Sequence, residues 1–383
     1  MSVDWDVIIV GAGPAGSTLG YRLSKRGIQV LILEKQAFPR YKPCGGALNV
    51  RAVNALDVDV SPVVENTIYG GWITYCMEEP FTHCFDRPLA YTVSRERFDH
   101  FLLRHAIGSG CAVHEGVRVA DVQFCADGVA VRSSGGTYCG RAVVGADGAF
   151  GVVAKSIGLM GDAFIAIAIE SEVEVHPRDL EQWKHVVHVD LGSMRSGYGW
   201  VFPKADHLSI GAGAALAHAR ELKAYYRQFT ERWRRSARQY HVVTKRGHRL
   251  PVRRKDARIQ RDQVLLVGDA AGLLDPLDGE GIYYAIRSAQ LAADVLADYL
   301  DDPQRVGLGR YQALVDRELM PEIQRAKAFM RLFYLCPWLL VRALRTGGRT
   351  WRAVCEFLRG EKTYVEIGSK LGPLEFVLDA MAW

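Results

Sequence analysis

Residues 6–34 read DVIIVGAGPAGSTLGYRLSKRGIQVLILE: an apolar run, a glycine-rich turn, a helix-length segment and a second apolar run ending on Glu34. Val7 to Val10 have the character of a buried strand, and Gly11-x-Gly13-x-x-Gly16 follows at once. In such a unit Gly11 permits the tight turn, Gly13 lets a pyrophosphate approach the backbone, and Gly16 lets helix and strand pack closely. The helix that opens here offers free N–H groups and the positive end of its dipole to phosphates. Glu34 stands where a carboxylate can take both hydroxyls of an adenosine ribose, and Lys35 beside it does not choose between FAD and NAD. A lone GxGxxG carries little weight. Strand, turn, helix and acid at the expected spacing predict a dinucleotide site; the alternative is a glycine-rich turn in an ordinary βαβ unit.

A second stretch completes the first. Val264 to Val267 read as a strand that runs into Gly268-Asp269-Ala270-Ala271-Gly272-Leu273-Leu274-Asp275-Pro276-Leu277-Asp278-Gly279-Glu280-Gly281-Ile282. Such a strand delivers Asp269 beside the first turn, where it can accept hydrogen bonds from a polyol chain. Gly279-x-Gly281 then opens an alanine-rich helix to Leu300 whose N–H groups suit a ligand that gains negative charge, such as the pyrimidine end of a flavin on reduction.

Between these anchors the chain changes character. Phe38-Pro39-Arg40-Tyr41-Lys42-Pro43-Cys44-Gly45-Gly46 is an ordered, close-packed turn, and a helix resumes over Val50 to Leu56. Thr67 to Phe85 read as strands and turns. Ser94 is a candidate N-cap for a helix with Phe98, Phe101, Leu102 and Ala106 at helical spacing. Val113 to Arg141 alternate in strand fashion, with Asp127-Gly128 and Gly135-Gly136 as hairpin turns. Ala142 to Gly148 form a short buried strand ending in Asp147-Gly148. Ala163 to Leu191 and Val201 to Ala214 suit an antiparallel sheet, and Arg220 to Arg238 a basic helix. Nucleotide-domain elements therefore bracket a β-rich insert.

Composition bounds the rest. At 383 residues, 49% hydrophobic and 24% charged, the chain is an ordinary globular one with a large core. The first strand begins within a few residues of Met1, leaving no room for a cleavable signal. The eight cysteines show neither CxxC pairs nor zinc spacing with histidine, which predicts reduced thiols in a cytoplasmic protein. Formal charge is +5, but fifteen Lys/Arg face only three acids between Arg220 and Arg261, and nine face three between Glu322 and Lys362. Such segregation suits anionic partners: lipid head groups, an acidic electron-donor protein or a phosphorylated substrate. Solvated helix faces explain it equally well, and nothing calls for nucleic acid or metal.

The motifs together resemble the FAD-dependent group that includes aromatic hydroxylases, flavin halogenases and geranylgeranyl reductases. The likeness covers roughly residues 5 to 300. Its marks are GAGPAG at 11–16 (Ala15 included), Arg95 with Phe98 and Asp99, Asp147-Gly148, and Gly268-Asp269 with Pro276 and Gly279 to Gly281. Two stretches are similar to the geranylgeranyl reductase branch: Lys42-Pro43-Cys44-Gly45-Gly46, like the Cys-Gly-Gly loop that branch places near its flavin, and Tyr198-Gly199-Trp200-Val201-Phe202-Pro203, the later part of a PxxYxWxFP signature. Arg195 stands where the leading proline belongs, and Gly151 and Lys155 where Ser and Arg are commoner.

The resemblance implies an α/β fold. A GR2-type Rossmann-like FAD-binding domain (1–70, 95–160 and 255–300) is interleaved with an antiparallel β-sheet substrate domain (71–94 and 161–254), followed by a helical C-terminal region (301–383). It implies FAD held by Gly11, Gly13, Ala15, Gly16, Glu34, Lys35, Cys44, Gly45, Gly46, Arg95, Asp269, Pro276, Gly279, Gly281 and Ile282. The reaction implied is reduction of double bonds in a hydrophobic isoprenoid chain, with NAD(P)H, ferredoxin or reduced quinone as electron donor. A flavin monooxygenase acting on an apolar or aromatic compound is the alternative enzyme. A flavoprotein that passes electrons to a membrane or protein partner is the non-enzymatic one.

The residues themselves add three candidates. Tyr198 and Trp200 lie two apart on a strand and share one face, either as cavity walls or as core aromatics. Cys44 can donate a proton or simply pack. Aromatic faces such as Trp200 can shelter a developing cation. Finally, Phe329 to Arg342 are strongly apolar but interrupted by Arg331, Pro337 and Arg342, which suits a helix lying in a membrane interface, peripheral on the inner face, or helices capping the substrate domain.

Overall fold

A computed structural model describes residues 3–159, 163–370 and 381. The chain forms two compact units: Met1–Tyr41 with Glu96–Phe164 and Leu250–Ile323, and Lys42–Arg95 with Ile165–Arg249 and Gln324–Trp383.

The nucleotide unit is built on a sheet whose strands follow the order Gln260–Arg261, Val264–Leu266, Gly136–Gly145, Trp5–Val10, Val30–Glu34, Ala112–Glu115. All neighbours are parallel except the first pair. Central parallel strands are covered on both faces, which is why VIIV and VLILE are apolar without alternation. Val7 to Val10 and Val30 to Glu34 are all buried. The helices Pro14–Ser24 and Ile282–Asp301 pack together over this sheet, burying Leu19, Leu23, Ala289 and Ala293. The strands Val119–Cys125 and Gly128–Ser133 join as a hairpin to Gly136–Gly145, with turns at the expected Asp-Gly and Gly-Gly pairs.

The second unit carries a seven-stranded sheet in the order Tyr240–Val252, Phe164–Val175, His207–Ala215, Gly197–Pro203, Val186–Leu191, Gly70–Tyr75, Glu78–Cys84. One pair departs from the expected antiparallel pattern: Val186–Leu191 runs parallel to Gly70–Tyr75. The chain between these strands is far longer than a hairpin, and only a long crossover permits parallel pairing. The helix Ala219–Ser236 buries Leu222, Tyr225, Tyr226 and Phe229, at i, i+3, i+4 and i+7, on one sheet face.

Unit boundaries differ from the expected ones in two places. Residues 47–49 and 66–68 both pair with Ala90–Thr92, so 42–70 join the sheet unit. The C-terminal region is divided. The helix Gly309–Glu318 belongs to the nucleotide unit, where the Tyr311 hydroxyl donates to the Leu266 carbonyl at 2.7 Å and Arg253 pairs with Asp316 at 2.6 Å. Beyond Gln324 the helices pack on the sheet unit, where Arg359 donates to the Pro88 carbonyl and Arg87 pairs with Glu361. The apolar tail stretch is broken at Cys336 into the helices Met320–Leu335 and Pro337–Arg345, because Pro337 has no N–H to continue the first. Among the described residues no helix is long and apolar enough to cross a membrane.

Candidate active site

In the nucleotide unit the glycine turn is fixed by what surrounds it. Gly11 has φ +103°, and a Cβ there would lie 2.8 Å from the Ala146 carbonyl carbon. A Cβ on Gly16 would strike the Gly11 carbonyl and approach the Ala146 Cβ at 3.3 Å. The turn is thus pressed onto the Ala146-Asp147 corner at the end of the neighbouring parallel strand, which is what the Asp-Gly motif does here. Asp147 accepts the Val153 N–H at 3.1 Å, and burial raises its carboxyl above the usual range. Its carboxyl fills the space a Cβ on Gly151 would need, which accounts for glycine at a position where serine was the expectation.

Glu34 is 4% exposed and accepts the Ala12 N–H at 2.9 Å and the Gln36 N–H at 3.1 Å. A carboxylate has about four lone-pair sites, so two remain for the ribose hydroxyls expected of it. Lys35 points to solvent. Arg40, within the quoted loop but not among the expected cofactor ligands, is brought to the turn by tertiary structure. It pairs with the fully buried Asp99 at 3.0 Å, lies over the Phe38 ring, and has Nη2 at 3.8 Å from the Gly13 Cβ position. A cation over a phosphate-binding turn is the missing half of the site, and the Arg40–Asp99 pairing spans too much sequence to be read from spacing.

The second motif folds as a short turn over Gly268–Ala271 followed by the helix Ile282–Asp301, with Gly281 at its N-cap. Asp269 Oδ1 lies 3.1 Å from the Gly281 Cβ position, so acid and helix start are adjacent as expected. The connecting loop is pinned by Asp275, which is fully buried and accepts the Leu277 N–H at 2.8 Å, while its own N–H donates to the Glu280 carbonyl at 2.9 Å. Pro276 and Gly279 are set by that loop; Ile282 is buried at the helix start. Two helix starts, the buried acid Glu34, the acid Asp269 beside the second helix start and a cation at the glycine turn fit an FAD, which when bound and reduced would supply a hydride.

In the sheet unit Tyr198, Trp200 and Phe202 form one row, with ring centroids 5.8 and 6.0 Å apart. Trp200 is paired in register with Gly211, where a Cβ would overlap the indole. The opposite face carries Val201 with Ile210, Ala212 and Phe229. Above the row lies the Cys-Gly-Gly loop: a Cβ on Gly45 would sit 2.7 Å from the Phe202 ring and 3.0 Å from Trp200 Nε1. Trp200 is 7% exposed, and its buried indole N–H has no partner among the described residues. Tyr198 is half-buried, as is Cys44, whose sulfur accepts the Gly46 N–H at 3.4 Å. Arg95 starts the helix Arg95–Gly108 and is half-buried.

Lys204, one residue past the signature, was not among the expected site residues. It is 2% exposed, and its ammonium donates to the Gly45 carbonyl at 2.6 Å and the Val93 carbonyl at 2.8 Å. Burial pushes its pKa down. Alternation from Tyr198 places it on the same strand face, but its partners Gly45 and Val93 are far along the chain and leave no signal in the spacing.

The FAD binding domain family matches residues 4–316. Among curated proteins the chain is 28% identical over 356 residues to a chloroplastic geranylgeranyl diphosphate reductase of Nicotiana tabacum, covering 86% of this chain and 74% of that one. It is 28% identical over 321 residues to a menaquinone reductase of Mycolicibacterium smegmatis, covering 77% of each. A solved geranylgeranyl bacteriochlorophyll reductase-like protein of Thermoplasma acidophilum superposes with a TM-score of 0.81 at 23% identity, over 97% of this chain and 99% of that one. The flavin-dependent brominase Bmp2 follows at 0.75 and 20%, over 93% of each, so the fold is shared with other flavin chemistries. The turn that presses on Ala146-Asp147, the acid at Glu34 and the Gly268–Gly281 segment all lie within the matched span: the chain belongs to the FAD binding domain family and is an FAD-dependent oxidoreductase.

Proposed function

We propose that this oxidoreductase saturates carbon–carbon double bonds of an isoprenoid chain. The observation that carries the reading is the aromatic row Tyr198–Trp200–Phe202 with the Cys44–Gly45–Gly46 loop laid on it. Both stretches are those that resemble the geranylgeranyl reductase branch, and relatives named for geranylgeranyl diphosphate and for menaquinone share an isoprenoid chain rather than a head group.

Reduction of an alkene needs a hydride on one carbon and a proton on the other. Bound, reduced FAD supplies the hydride; the chain's own groups supply or relay the proton. The Cys44 thiol and the Tyr198 hydroxyl are the acids beside the row, and the indole N–H of Trp200 is left for a ligand atom. Glu34, Asp269 and Arg40 would hold and orient the cofactor.

A membrane surface is the proposed source of the substrate. Leu335, Trp338 and Leu339 are 66%, 54% and 56% exposed, while the same helical segment buries Val341 and Leu344. Exposed Arg342 follows this apolar stretch in the same helix, which suits an interfacial helix on anionic lipid. NAD(P)H, ferredoxin and reduced quinone are the proposed electron donors, and an acidic donor protein would match the basic segments.

Single turnover tests the function. The yellow protein is reduced anaerobically with dithionite and given geranylgeranyl diphosphate, with flavin absorbance and product mass followed together. Reoxidation with a gain of two mass units per turnover is the expected result. A flavin that stays reduced until air enters, with oxygen then found in the product, would overturn it in favour of a monooxygenase.

A further inference from the structure

Strand alternation puts Lys204 on the face that carries Tyr198, Trp200 and Phe202. Its backbone N–H donates to the His207 carbonyl at 2.8 Å, so pairing with the neighbouring strand continues past Pro203. The aromatic row therefore ends in a buried ammonium. Burying a cation is unfavourable unless its donors are met, and an apolar side chain of the same length would fill the space without that penalty. Here two main-chain acceptors meet it, the Gly45 carbonyl at 2.6 Å and the Val93 carbonyl at 2.8 Å.

These bonds fix where the Cys44–Gly45–Gly46 loop points its acceptors. The Gly45 carbonyl is held by Lys204, and the Gly46 carbonyl accepts the Val93 N–H at 2.8 Å. The residue before Val93 is tied to the sheet in turn, because the Thr92 hydroxyl donates to the Pro203 carbonyl at 2.6 Å. Gly46 has φ +65°, and a Cβ there would run into both the Val93 carbonyl and the Lys204 ammonium, so the loop closes on this clamp only as glycine.

Trp200 stands four residues before Lys204 on the same face. Gly45 lies against its indole, since a Cβ on Gly45 would sit 3.0 Å from Nε1. The carbonyl of the very residue that lies on the indole is thus engaged by the ammonium. The indole N–H, on a residue 7% exposed, has no partner among the described residues. A buried donor left unmet is destabilising, and such a group calls for a specific explanation.

We infer that Lys204 is a positioning residue: by holding the Gly45 carbonyl, its ammonium keeps the Trp200 indole N–H open for an acceptor oxygen of the ligand that lies on the aromatic row. The identity of that ligand rests on the proposed reaction, in which the oxygen belongs to the substrate's head group, because an isoprenoid chain carries no acceptor of comparable strength.

The test reads the indole directly. The FAD-loaded, oxidised protein is isotope-labelled at its tryptophan indole nitrogens, and the Trp200 N–H signal in the NMR spectrum is identified by its loss in Trp200→Phe. Lys204→Met has a side chain of similar length without donors. The freed Gly45 carbonyl is expected to take the indole N–H, moving its signal downfield and slowing its exchange with solvent by at least about tenfold. Geranylgeranyl diphosphate added to the unsubstituted protein should move the same signal downfield. It should bind Lys204→Met about tenfold more weakly in a flavin absorbance titration, as expected for one lost hydrogen bond to a charged group. A role in packing alone would weaken binding without closing the indole N–H. A Trp200 signal that is the same in both ligand-free proteins therefore overturns the inference, and so does a bound ligand that leaves the signal unmoved. Should Lys204→Met fail to fold, Lys204→Leu, shorter and also without donors, is read by the same criterion. If geranylgeranyl diphosphate does not bind at all, the proposed substrate fails, while the ligand-free comparison still decides the role of Lys204.

Discussion

The nucleotide unit offers a ligand mostly main chain: the glycine turn at Gly11–Gly16, the helix starts after Gly13 and Gly281, and two acids, Glu34 held by backbone N–H groups and Asp269 beside a helix start. The sheet unit offers side chains, an aromatic row and a buried ammonium, on strands whose backbone is spent on the sheet. Main-chain recognition depends on atoms every residue has, so it is written as the absence of side chains. Side-chain recognition can be rewritten residue by residue without touching the fold. The same fold occurs in solved proteins named as a reductase-like protein and as a brominase, so the fold alone does not fix the chemistry.

The largest effect should come from filling the turn. Gly16→Val places atoms into the Gly11 carbonyl, and we expect flavin affinity to fall by at least about a hundredfold, read as loss of the yellow chromophore on gel filtration. If the variant keeps its flavin, the main-chain account of the nucleotide unit is broken. Gly45→Val is the matching change in the sheet unit. It should lift the loop from Phe202 and Trp200 and cut single-turnover reduction by more than about tenfold, with flavin content unchanged. Loss of flavin as well would show that the two sites are not separable.

A third prediction concerns the far face of the same sheet. His188 is 2% exposed, set among Trp72, Trp183, Phe229 and Trp233, and burial holds its pKa down to about 3. The unfolded chain takes up the proton near pH 6.5 and the folded one only near 3, so stability falls as pH drops through that window. Roughly 2 kcal/mol should be lost between pH 7 and pH 5, and His188→Gln should abolish most of that slope in thermal melts. An unchanged slope would assign the acid sensitivity to other groups. The smallest effect on the folded chain is expected from Leu335→Ser with Trp338→Ser. Both sites are exposed, so stability should change by less than about 0.5 kcal/mol. Co-sedimentation with phosphatidylglycerol vesicles should fall severalfold, and equal binding by both proteins would remove the membrane from the account.

How much of this was legible in advance follows the same division. Strands at Val7–Val10, Val30–Glu34 and Val264–Leu266 and the helices Pro14–Ser24 and Ile282–Asp301 could be read directly, because a doubly covered parallel strand is apolar throughout and a phosphate turn must be glycine. The shared face of Tyr198 and Trp200 could be read from the period of a strand. Arg40 and Lys204 could not. Each acts through a partner far along the chain, Asp99 for one, Gly45 and Val93 for the other, and spacing holds no information about such pairs. The assignment of 42–70 to the sheet unit was hidden for the same reason, since it rests on the pairing of 47–49 and 66–68 with Ala90–Thr92.

The amino-acid sequence by itself determined the nucleotide fold, the glycine turn and the acids at Glu34 and Asp269, because local backbone demands leave their mark residue by residue. Tertiary structure alone decided which cation stands at the turn, that the Cys-Gly-Gly loop lies on Trp200 and Phe202, and that an ammonium is buried beneath it. These are contacts across long loops, and chain connectivity brings them together without any pattern in the residues between.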